Sequence, residues 1–102
     1  MVPEVGRMTM RSELAIYTLA SGKITTVLKT DRLIEAPNWS PDGKFLVING
    51  DGRLYRVDLS APRMIEIDTG LAKTCNNDHG ISPDGRLLAI SDAVVEPGLC
   101  FR

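Results

Sequence analysis

Apolar residues along this chain fall into short runs separated by turn-forming clusters. Continuous apolar runs occupy 45–48 and 87–90, and β-branched, aliphatic and aromatic residues crowd 14–19, 24–28, 54–59 and 64–67. Ser21 and Gly22, the 40–43 and 82–85 segments, the 49–52 segment and Pro62 punctuate them. Short β-favouring runs bounded by Gly, Pro, Asn and Asp predict strands. No segment holds a helical period over three turns. The pattern predicts eight short strands at 14–19, 24–28, 36–39, 44–49, 53–59, 63–67, 77–81 and 86–91. The runs at 45–48 and 87–90 have no polar alternation, which predicts burial on both faces within a stack of sheets.

The strands recur. Ser40, Pro41, Asp42 and Gly43 return as Ser82, Pro83, Asp84 and Gly85, a shift of 42 residues. One apolar residue precedes each tetrad (Trp39, Ile81), and a cation (Lys44, Arg86) and an apolar run follow. The tetrad is a turn: proline presets φ, aspartate bonds nearby backbone, and glycine takes positive φ so that a hairpin can leave. Between the tetrads lies a second pair of strand–turn–strand units, with Ile16 and Tyr17 aligned on Leu54 and Tyr55. A period of 40–45 residues is that of a four-stranded propeller blade. The expected fold is therefore all-β, a partial β-propeller of antiparallel four-stranded blades amounting to about two blade-equivalents. It would be a single domain over 1–102, with a half blade at 12–30, a full blade at 36–67, a half blade at 77–92 and an irregular tail at 93–102.

These residues resemble the WD40-like (PD40) repeats of the TolB-type β-propeller family. An apolar residue, Ser-Pro-Asp-Gly with a cation, an apolar strand, a hairpin and a strand with an apolar–Tyr pair follow in that order, and the likeness runs over about residues 12–92. The resemblance implies a non-catalytic protein–protein interaction scaffold related to translocation and envelope-integrity proteins. A whole propeller has about six or seven blades, within the usual four to eight. After Asp92 the chain lacks the expected Ile-Tyr pair and carries Pro97. The expectation is a truncated gene product or fragment. Similar repeats also build the gating propeller of prolyl-oligopeptidase-like serine peptidases, which is the alternative reading. A third is a non-functional remnant.

Composition narrows the partners. The 102 residues carry 12 Lys and Arg against 13 Asp and Glu, a net charge of -1. So even a balance offers no basic footprint for nucleic acid. No apolar stretch is long enough to span a membrane, and Glu4, Arg7, Arg11 and Glu13 interrupt any secretory core near the N-terminus. The chain reads as cytoplasmic, or as periplasmic if its N-terminus is truncated. In a reducing compartment Cys75 and Cys100 are expected as free thiols, with Cys75 a small buried hydrophobe. Half blades with open edges predict a homo-oligomer that completes the propeller, or aggregation.

Little chemistry remains to assign. Asp78 and His79, where a loop enters the seventh strand, would face the mouth of a propeller channel and are the candidate binding residues. A lone histidine builds no metal site. Ser82, His79 and Asp84 supply the chemical types of a triad but lie within six positions with no nucleophile elbow, so no catalytic residues are expected. Asp42, Asp51, Asp58, Asp84 and Asp92 form no calcium loop. No metal and no cofactor are expected. Trp39, aligned with Ile81, is expected in the core between blades, and the dispersed Lys and Arg residues on a solvated surface.

Overall fold

A computed structural model describes residues 11–94. Residues 1–10 and 95–102, with Cys100, Pro97 and most of the expected tail, lie outside the described residues. The described residues form eight strands and no helix: β1 (Ser12–Thr18), β2 (Lys23–Thr30), β3 (Glu35–Trp39), β4 (Phe45–Gly50), β5 (Arg53–Asp58), β6 (Ile65–Glu66), β7 (Cys75–Ile81) and β8 (Leu88–Asp92). All pairings are antiparallel. They make three sheets, of order β1-β2, β3-β4-β5-β6 and β7-β8.

The central sheet is a meander whose inner pair buries both faces. Leu46 and Ile48 lie opposite Val57 and Tyr55 across β4 and β5. With Leu14 they form one buried cluster against the first sheet. Val47 and Leu54 point the other way and pack with Cys75 of β7. The period of two along β4 thus splits one apolar run between two cores.

The two tetrads fold alike. Gly43 N donates to Ser40 O at 3.0 Å and Gly85 N to Ser82 O at 2.8 Å, with φ of 72° and 76° at the glycines. The Ser40 hydroxyl donates to Asp42 Oδ1 at 2.7 Å and accepts from Phe45 N at 3.0 Å. The Ser82 hydroxyl donates to Asp84 Oδ1 at 2.6 Å and accepts from Leu87 N at 3.0 Å. Each carboxylate also accepts a backbone N–H, from Lys44 and Arg86.

The serine hydroxyl bond first, and then the backbone N–H, holds each carboxyl below its ordinary value. A depressed folded-state pKa stabilises the fold above the unfolded pKa, near 3.9, and that stabilisation is lost as pH falls through the folded value. In urea titrations between neutral pH and about pH 2, the Asp42→Asn variant should therefore lose less stability than the parent. Parallel curves would refute this role for the turn carboxylate.

The outer strands depart from the expected double burial. Leu87, just before β8, is 70% exposed and Ile90 within it 39%, because β8 is an edge strand with no described strand beyond it. Trp39, expected between blades, is 53% exposed. Its strand β3 pairs on one side only, and its ring lines a surface hollow with Tyr17 and Pro37. Pro37 suits such an edge, where its missing N–H breaks no ladder.

Candidate functional site

An open cleft of about 430 Å³ lies where β3, the β4–β5 hairpin and β7 converge. The hairpin is a two-residue turn in which Asp51 (φ 53°) and Gly52 (φ 80°) both take positive φ, the Asp-Gly signature of a type I′ turn. It projects Asp51 into the cleft wall. Glu35 comes from the start of β3, Asn49 from the end of β4, and Cys75, Asn76, Asn77 and Asp78 from β7.

A bulge shapes the β7 side. Cys75 pairs with Asp92 and His79 with Ile90, so β7 carries two residues more than β8 over that interval. The Asn76 side chain accepts from Asp78 N at 2.9 Å and holds the bulge. Bulges of this kind re-aim side chains, and here the extra residues bring three consecutive polar side chains, at 76–78, to the cleft.

Asp78 and His79 lie inside β7, as the expected strand at 77–81 has them, but further from its entry, since the strand starts two residues earlier at Cys75. The strand begins at Cys75 because Cys75 N bonds Gly52 O at 2.8 Å and its side chain is buried in the core. Asp78 lines the cleft; His79 turns aside. Its Nε2 lies 3.1 Å from Asn49 Oδ1, while Asn49 Nδ2 donates to Asn77 Oδ1 at 2.9 Å. With the Asn49 amide so oriented, the imidazole proton sits on Nε2. His79 Nδ1 is buried and has no hydrogen-bond partner among the described residues. Burial lowers the imidazole pKa and Asp78 partly opposes it, which favours the neutral ring.

The triad types do not assemble. Ser82 and Asp84 satisfy each other within their turn, and His79 is held by Asn49. Among the described residues no group of three His, Cys, Asp or Glu side chains could hold a metal ion, and no helix is long and apolar enough to cross a membrane. Cys75 is buried as a free thiol whose pKa burial pushes up. It is a packing residue on the cleft floor, since a protonated thiol is a weak nucleophile.

The sequence does not single out Glu35, Asn49, Asn76 or Asn77 as site residues, and it marks Asp51 only as a turn carboxylate. One signal pointed to Asn49: it continues an apolar run at a position where the strand is inward-facing, and it is 4% exposed. A buried carboxamide needs partners, and its partners come from 28 and 30 residues away.

No family model matches the chain. It is 54% identical over 87 residues to the uncharacterized protein Atu1656 of Agrobacterium fabrum, covering 84% of this chain and 30% of that protein. A solved structure from Agrobacterium tumefaciens, named "putative TolB", matches at 49% identity and a TM-score of 0.79, over 84% of this chain and 31% of that one. The chain thus spans under a third of the length of these relatives. The likeness supports a TolB-like relationship, and the architecture of small antiparallel sheets fits a partial β-propeller.

Proposed function

We propose that the chain is a non-catalytic part of a TolB-like β-propeller and that it works by holding a protein partner, with a basic side chain of that partner seated in the β3–β7 cleft. The reading is supported above all by the cleft wall. Glu35, Asp51 and Asp78 supply carboxylates and Asn49, Asn76 and Asn77 carboxamides, with no cation among the lining residues. In a chain of net charge -1, such a concentration favours a ligand rich in donors and positive charge. The Asn49–Asn77 and Asn49–His79 bonds hold part of that wall in place.

Calorimetry with short blocked peptides tests it. An arginine-centred peptide should bind at least ten-fold more tightly than its glutamate-centred counterpart, and added salt should weaken it. Asp78→Asn should lower affinity about 2- to 5-fold, the worth of one exposed ion pair. Equal binding of both peptides, or of neither, would remove the cleft as the site. Turnover of an ester or peptide substrate would overturn the non-catalytic reading.

A further inference from the structure

The two incomplete sheets are complementary halves. By the turn repeat, β8 occupies the position of β4; by the Tyr17–Tyr55 alignment, β1 occupies that of β5. In the central sheet β4 pairs with β3 on one edge and β5 on the other. Among the described residues β8 pairs only with β7, the counterpart of β3, so the edge left open there is the one that on β4 carries β5. Among the described residues β1 pairs only with β2, the counterpart of β6, so the edge left open there is the one that on β5 carries β4. The two open edges lie on separate sheets of the same chain.

Side chains repeat the relationship. Tyr55 and Val57 are 5% and 0% exposed, while their counterparts Tyr17 and Leu19 are 58% and 90% exposed. Ile48 is 0% exposed and its counterpart Ile90 39%. An apolar groove of about 220 Å³ runs beside β8, with Phe45, Val47, Ile67, Ile81 and Leu88 in its wall. Hollows of about 130 and 210 Å³ run beside β1, lined by Pro37, Trp39, Leu46 and Ile48 among others. Each open edge thus has an apolar hollow beside it and protruding apolar residues whose counterparts in the complete sheet are buried.

The geometry points to a second copy of this chain as the occupant: β8 of one copy pairs with β1 of the next, and three copies close head to tail into a ring. The proposal rests on the partial-propeller reading. Each copy contributes one four-stranded sheet and two halves, so three copies make a six-sheet ring, within the usual range for propellers. A heterologous interface whose rotation closes gives a ring without free edges. The β4–β5 register, with Val47 opposite Arg56, carries over to Ala89 opposite the partner's Thr18.

Light scattering on the full chain should give three times 11.1 kDa. In a Cys100→Ser background, Ala89→Cys with Thr18→Cys should form disulfide-linked species between copies. Ala89→Cys with Ala15→Cys, out of register, should not. Leu19→Lys alters a side chain that is exposed in the single chain, so it should give a monomer with unchanged β circular dichroism. A monodisperse monomer of the parent chain, an open-ended aggregate, linkage as efficient out of register, or a trimer indifferent to Leu19→Lys would each overturn the ring. A monomer that still binds the arginine peptide would sink the ring alone, and a ring that binds no peptide would sink only the cleft.

Discussion

Replacing Ile48 by alanine should cost about 2–5 kcal/mol, the range for emptying a large buried aliphatic site. Ile48 is 0% exposed and among the largest fully buried side chains. It sits opposite Tyr55 at the middle of the central sheet, in the cluster that joins that sheet to the first one through Leu14. Its neighbours come from three strands tied by ladder bonds, so they cannot collapse into the void cheaply. A small domain has a stability of roughly 5–15 kcal/mol, with short chains at the low end. The variant should accordingly be partly unfolded at room temperature. The control is Leu71→Ala: Leu71 is 100% exposed, and its loss should change stability by no more than about 0.5 kcal/mol. Urea denaturation followed by circular dichroism separates the two. Equal effects at 48 and 71 would show that the central sheet is not the stabilising core.

Gly52→Ala should cost about 3 kcal/mol, through two mechanisms that add. Gly52 has φ of 80°, where an L-residue pays roughly 1–2 kcal/mol. A Cβ there would also lie 2.2 Å from the carbonyl oxygen of Lys73, and overpacking of this kind typically costs about 1–3 kcal/mol. The obstacle is backbone, and it cannot swing away freely, because Cys75 N is bonded to Gly52 O two residues later and Cys75 is buried. Gly43→Ala isolates the first mechanism. Its φ is 72° and nothing lies within 4 Å of the added atom, so about 1 kcal/mol is expected. Because Gly52 lines the cleft with Asp51, its substitution should also weaken arginine-peptide binding, whereas Gly43→Ala should not. Similar losses at 43 and 52 would mean that the hairpin does not press against the strand before β7.

The all-β architecture was legible because the information that specifies it is local. A serine, proline, aspartate and glycine in sequence satisfy one another's turn within six residues, as the bonds from Ser40 to Phe45 and from Ser82 to Leu87 illustrate. Apolar runs between such turns have one low-energy use, as strands. The same reasoning failed at the cleft. Asn49 and His79 are 30 residues apart and meet only because the central sheet and β7 stack, and nothing local to either residue encodes that meeting.

The sequence by itself determined the eight strands, their antiparallel hairpins, the two equivalent turns and the two-faced burial of β4, all of which follow from periodicity and turn chemistry over a few residues. Only the tertiary structure decided that identical positions in the repeat have opposite fates. Tyr55 is buried and Tyr17 exposed, Ile48 is enclosed and Ile90 half open, since burial depends on what stacks against a sheet. The bulge that carries Asp78 into the cleft and turns His79 toward Asn49 was likewise decided there. Two extra residues in one strand become visible only against the partner strand that lacks them.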